Sequence, residues 1–189
     1  SPYPVSLFPC PYQHRKELPL KRLAGKKILI TGASSGFGRG IALACAAEGA
    51  DLALVARDTE RLQAVADLAR AQGSEVVICP ANIAEQTQVL AAVAHAKVAL
   101  GQIDVLVNDA GMNVTQRSIK DTSLEQWRQL LDVNLTSAFL FTKAVLPDMI
   151  ARQAGTIINV ASRAALHPHL AGGVGYSTSK QGMDALTHV

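Results

Sequence analysis

The sequence predicts an α/β fold: a doubly wound parallel sheet covered by helices on both sides, in three αβα layers. Three observations carry this. From Lys26 onward, short apolar runs alternate with helical patterns. The runs are too apolar for a sheet with one wet face, which implies parallel strands buried on both sides. A glycine-rich segment, TGASSGFGRG (residues 31–40), stands between the first run and the first helix, where open parallel sheets bind ligands.

KKILIT (26–31) reads as a short buried strand, and GRGIALACAAEG (38–49) as a helix of small residues closed by Gly49. DLALVA (51–56) is a second strand. DTERLQAVADLARAQG (58–73) is an amphipathic helix with Asp58 as N-cap and Gly73 as its stop. EVVICP (75–80) is a third strand, and AEQTQVLAAVAHAKVALG (84–101) a third helix ended by glycine. IDVLVN (103–108) is a fourth strand. After a loop, a long helical stretch runs from about Leu124 to Arg152, with a bend expected at Pro147 because proline cannot donate to the carbonyl four residues back. GTIINVA (155–161) is a fifth strand, and GYSTSKQGMDALTHV (175–189) opens a last helix. Together these describe a Rossmann-type sheet with right-handed crossovers.

The 189 residues suit one domain with a real core. Residues 1–24 hold five of the eight prolines and most of the basic excess behind the net charge of +3, so they read as an extended or disordered leader before a domain at 25–189. No interleaved aromatics support binding of nucleic acid by that leader, and no apolar run is long enough to cross a bilayer. Cys10, Cys45 and Cys79 form no C-x-x-C pair, so we expect no metal site and a reducing, cytoplasmic setting.

The glycine run suits a pyrophosphate, because a helix start offers unpaired N–H groups and partial positive charge. In that reading Gly32 makes the tight turn, Gly36 lets the backbone approach phosphate, Gly38 lets the helix sit close to the strand, and Ser34 and Ser35 add hydroxyl donors. The second strand ends in LALVARD. An acidic residue at such a strand end grips the ribose hydroxyls of NAD, whereas an arginine favours the 2′-phosphate of NADP. Ala56 fills the strand-end slot and Arg57 follows, which favours NADP; the opposing reading makes Asp58 the ribose ligand and NAD the cofactor.

GYSTSK places Tyr176 and Lys180 four residues apart on one helix face. A free tyrosine titrates near pH 10, too high for proton exchange around neutrality, and a neighbouring ammonium lowers that value. Ser162 ends the fifth strand, where a hydroxyl can meet a substrate carbonyl or simply cap a turn. Asn134, in an otherwise apolar helix, is a buried amide that needs partners. NDAG (108–111) closes the fourth strand at the same edge.

TGASSGFG, NDAG, DVNL, INVAS and YSTSK, in this order, resemble the short-chain dehydrogenase/reductase family from about Gly25 to the end of the chain. The resemblance implies hydride transfer between a nicotinamide and a carbonyl or alcohol carbon. It implies Tyr176 as acid/base, Lys180 as ribose ligand and tuner of the tyrosine, Ser162 as substrate-orienting hydroxyl, and Asn134 as holder of a proton-relay water. The cofactor residues it implies are Gly32, Ser34, Ser35, Gly36, Phe37, Gly38, Arg57, Asn82, Ile83, Asn108, Ala110, Gly111, Tyr176 and Lys180.

Against the family pattern, Asp109 stands where a second asparagine is common, Asn82 where an aspartate meets adenine, and Phe37 where isoleucine is usual. Asp109 either disturbs the cofactor loop or faces outward. His167 and His169 lie in a glycine-rich loop, near substrate or simply solvated. Relatives continue with two more strands and a substrate-covering loop, so the resemblance implies that the last strands are missing from this chain and that the fifth strand has an open edge. Two readings stay open: an NADP-dependent oxidoreductase acting on a small-molecule carbonyl or alcohol, and a catalytically impaired nucleotide-binding or interaction protein of the same fold. Homo-oligomer formation is left open for a longer protein.

Overall fold

In the first strand, β1 (Lys27–Thr31), Leu29 packs into one hydrophobic cluster while Ile28 and Ile30 pack into another on the opposite face. That period-two split repeats along a five-stranded sheet and makes it a middle layer. The computed structural model describes residues 21–168 and 171–189; Cys10, His169 and the leader up to residue 20 lie outside the described residues.

The remaining strands are β2 (Asp51–Ala56), β3 (Val76–Pro80), β4 (Val105–Asn108) and β5 (Thr156–Asn159), all parallel in the order β3-β2-β1-β4-β5. The chain winds outward from β1 to β3, then crosses back to β4 on the other side of β1, so β1 and β4 flank a topological switch point. One face is covered by α1 (Gly36–Ala47) and α2 (Thr59–Arg70) through Ala42, Ala46, Leu62 and Val65. The other is covered by α3 (Gln86–Leu100) and α5 (Ser137–Ala151) through Val89, Val93, Phe141 and Val145. Ala42 and Ala46 on α1 and Ala92 and Ala96 on α3 are small residues at the sheet contact.

Several local expectations are adjusted. The first helix starts at Gly36, inside the glycine run, with Ser35 as N-cap. Residues 163–166, between the fifth strand and the last helix read from the sequence, form a short helix, α6 (Arg163–Leu166). Lys21–Ala24, assigned to the leader, pack onto the end of α1: the Leu23 amide donates to the Glu48 carbonyl at 2.9 Å, and Arg22 pairs with Glu48 at 2.8 Å. Pro147 lies inside α5 without ending it. The break in α-helical geometry comes earlier, where α4 (Leu124–Leu131) passes into a π-helical segment, Asp132–Thr136, before α5.

These three pieces form one stretch of 28 residues, Leu124–Ala151, with a most apolar window of mean hydropathy 1.2. By length and composition alone it is long enough to cross a membrane, against the expectation that no run is. Its Phe141, Val145 and Met149 are buried in the sheet's core cluster, the packing of a core helix. The last helix, α7 (Val174–Thr187), packs on α4, α6 and the π segment. Among the described residues, β5 pairs only with β4, and Ile158 is 47% exposed, so the open edge expected there is present.

Candidate active site

Where β1 and β4 end, their connecting loops meet. Gly32 has φ +69°, and a Cβ there would lie 2.9 Å from the Ala110 Cα, so its site requires both glycine's conformational freedom and its lack of a side chain. A Cβ on Gly38 would overlap the Gly32 carbonyl and come within 2.8 Å of the Asp109 Oδ2. The two glycines thus press helix, first loop and fourth-strand loop together. The buried Thr31 hydroxyl fixes the join: it accepts the amides of Asp109 and Ala110, each at 3.1 Å, and donates to the Val107 carbonyl at 3.4 Å.

Above this join opens a cleft of about 1220 Å³. Gly32, Ser34, Ser35, Gly36 and Phe37 line it from the first loop, and Phe37 is 80% exposed. Arg57, Asn82 and Ile83 line it from the ends of β2 and β3. Ala110 and Gly111 come from the end of β4, and Ser162, Tyr176 and Lys180 from the far side. Gly38, Asn108 and Asn134 are expected site residues that do not line it.

Asn108 points the other way. Its amide nitrogen donates to the Asn159 Oδ1 at 2.9 Å and to the Thr142 hydroxyl at 3.4 Å, binding β4 to β5 and α5. Asn134 is fully buried in the π segment. Its Oδ1 accepts the Met112 amide at 2.7 Å, and its Nδ2 donates to the Met112 carbonyl at 2.9 Å and the Ser179 hydroxyl at 3.1 Å. It supports the cleft floor from behind.

Tyr176 and Lys180 lie one turn apart on α7 and open into the same cleft. Lys180 is only 3% exposed, and its ammonium donates to the Val160 carbonyl at the end of β5 at 2.7 Å. Burial pulls its pKa below the ordinary lysine value, while the Asp109 carboxylate acts in the opposite sense. The Ser162 hydroxyl accepts the Ala164 amide at 3.1 Å as the N-cap of α6. Capping fixes its oxygen and leaves its O–H proton free to donate.

At the opposite end, Asp58 caps α2 by accepting the Arg61 amide at 3.0 Å, and its second oxygen pairs with the Arg61 Nε at 3.2 Å. Both oxygens are therefore engaged locally, while Arg57 lines the cleft and has no such tie among the described residues. Arg61 also lines the cleft; the sequence reading missed it, although the i, i+3 spacing from Asp58 was a usable signal. Asn82 accepts the Ala84 amide at 3.3 Å and keeps a second lone pair. Asp109 does not face outward: it lines the cleft, and burial raises its pKa while hydrogen bonding from the Gly38 amide and the charge of Lys180 lower it. His167 is exposed. Among the described residues there is no group of three or more potential metal ligands.

The arrangement suits a dinucleotide: a glycine loop packed closely on the loop after β4, a helix N-terminus, guanidinium groups at one end, and a phenol, a hydroxyl and a buried ammonium at the other. Comparison with known proteins agrees. A family profile described as short chain dehydrogenase matches residues 26–189. The 1,6-dihydroxycyclohexa-2,4-diene-1-carboxylate dehydrogenase of Acinetobacter baylyi is 35% identical over 88% of this chain and 62% of its own length. The 5-keto-D-gluconate 5-reductase of Escherichia coli is 34% identical over 74% of this chain and 55% of its own length. A metagenomic short-chain oxidoreductase crystallised with NADP superposes with a TM-score of 0.84 at 35% identity, covering 88% of this chain and 75% of that one. The chain thus spans 62% and 55% of the lengths of these two curated relatives.

Proposed function

This chain belongs to the short-chain dehydrogenase family, and from that premise we propose that it is an NADP-dependent oxidoreductase acting on a small-molecule carbonyl or alcohol. The observation that carries the reading is that Tyr176 and Lys180, one helical turn apart, open into the same cleft as the Gly32–Phe37 loop and Arg57. The NADP bound to the metagenomic relative supports a nicotinamide cofactor. The choice of NADP over NAD rests on Arg57, with Asp58 already engaged by Arg61.

In this reading the Gly36 end of α1, Ser34 and Ser35 hold the diphosphate, Arg57 meets the adenosine phosphate, and Lys180 holds the nicotinamide ribose. Nicotinamide, when bound, supplies or accepts the hydride. Tyr176 gives its phenolic proton to the substrate oxygen during reduction and takes it back during oxidation. The Ser162 hydroxyl donates to the same oxygen and stabilises the negative charge that grows there. Lys180, one helical turn from Tyr176, sets a buried cation on the same side of the cleft. Asn134 contributes from behind, by holding the Met112 loop that floors the cleft.

The test is NADPH oxidation by the full chain against a panel of aldehydes and ketones. Turnover should be lost in Tyr176→Phe while NADPH still binds. Binding without turnover on any carbonyl would favour the second reading, a nucleotide-binding protein of the same fold.

A further inference from the structure

Asp109 is an anionic group inside a cleft that must accept an anionic ligand. Its backbone cannot retreat, because the Thr31 hydroxyl binds its amide and that of Ala110, each at 3.1 Å. Its carboxylate lies against the first turn of α1: its Oδ2 is 2.8 Å from where a Gly38 Cβ would be, and the Gly38 amide favours its ionised form. A carboxylate at a helix N-terminus satisfies the same N–H groups and partial charge that a phosphate would use. The groups acting on it are the Gly38 amide from α1 and the Lys180 ammonium from α7, while β1 holds only its backbone.

We propose that Asp109 is a pH-dependent brake on dinucleotide binding: ionised, its carboxylate competes for the amide end of α1 and repels the diphosphate, and protonation removes both effects. The proposal rests on the dinucleotide reading of the cleft. Burial already favours the neutral form of Asp109 over that of an ordinary carboxylate. A diphosphate beside it would favour that form further, so the complex would hold more protons than the free protein. Affinity therefore falls as pH rises through the titration of Asp109. The Lys180 ammonium offsets part of the repulsion but is itself bound to the Val160 carbonyl at 2.7 Å.

The experiment is a fluorescence titration of NADPH with the full chain and with Asp109→Asn, from about pH 4, near the ordinary Asp value, to about pH 8 at fixed ionic strength. Asparagine keeps an acceptor for the Gly38 amide and removes the charge. At neutral pH the variant should bind NADPH roughly five- to tenfold more tightly, the size of one like-charge repulsion across a partly wet cleft. That advantage should shrink as pH falls and Asp109 is protonated. The ionisation of the adenosine phosphate is common to both proteins and cancels in the ratio. Asp109→Ser, checked by thermal unfolding, replaces the asparagine variant if that one fails to fold. Two proteins that both bind with parallel pH curves, or a variant that binds more weakly, would overturn the brake alone. Binding by neither protein would overturn the dinucleotide reading and the brake with it.

Discussion

Asn134 and Met112 are bonded to each other twice: the Asn134 Oδ1 accepts the Met112 amide at 2.7 Å, and its Nδ2 donates to the Met112 carbonyl at 2.9 Å. A side-chain amide thus stands in for a neighbouring strand, pairing a loop that has none. The helix reaches this geometry by widening into a π turn at Asp132–Thr136, a local distortion that often marks functional positions.

Asn134→Ala should therefore destabilise the fold by about 1–3 kcal/mol, because it takes both bonds from the part-buried Met112 amide and carbonyl and one of the two from the Ser179 hydroxyl. Asn134→Asp keeps the acceptor for the Met112 amide but sets a carboxylate oxygen against the Met112 carbonyl in a fully buried site, and should be at least as destabilising as Asn134→Ala. Urea unfolding of the three proteins checks the order. Equal stability of Asn134→Ala and the parent would mean that water replaces the amide without cost.

Gly32→Ala should cost more than an ordinary surface change. The left-handed backbone, at φ +69°, carries a penalty of about 1–2 kcal/mol for any L side chain. The added methyl must also displace Ala110, 2.9 Å away, and with it the loop fixed by Thr31. The expected outcome is a clear fall in thermal midpoint together with weakened NADPH binding. A stable variant with normal binding would show that the two loops do not need this close approach.

The strand and helix alternation was legible because burial on both sides of a parallel sheet leaves the middles of its strands apolar, with polar residues such as Lys27, Asp51 and Asn108 at their ends. The hydrophobic phase of β4 also held a clue that went unused. Leu106 packs toward the α5 side, so Asn108, two residues on, faces the same side and meets Thr142 rather than the cleft. Other features were not legible. The π turn depends on which carbonyl each amide selects, and sequence does not encode that choice in any simple pattern. The inward orientation of Asp109 depends on Gly38 and Lys180, which lie about 70 residues away on either side and meet it only in the folded chain. Ser162 caps α6, one of its two readings, and also lines the cleft, where its contact with a substrate carbonyl is a proposal.

Arg57→Asp should weaken NADPH binding by about 2–3 kcal/mol, since it replaces an attractive charge near the adenosine phosphate with a repulsive one. NADH binding should change little. Arg61→Ala should produce a smaller loss in the same direction and also weaken the α2 cap, because Arg61 pairs with Asp58 at 3.2 Å. Titrating both cofactors against each variant separates these effects. Equal losses for NADPH and NADH would remove the case for NADP.

The Cys79 thiol provides a pH-dependent probe of the core. Burial against the sheet raises its pKa to about 11, and its sulfur lies 3.9 Å from the His95 Nδ1. Because the unfolded chain gives up this proton more readily than the folded one, Cys79 favours folding fully below the unfolded thiol pKa, and that contribution is lost as pH rises toward 11. The same burial denies the native thiol its reactive anion near neutrality. Alkylation mapped by mass spectrometry at mildly alkaline pH should therefore leave Cys79 unmodified in the folded protein and label it once urea unfolds the chain. Labelling of folded protein at the unfolded rate would mean that α3 opens from the sheet freely, and the burial assigned to this face of the core would be wrong.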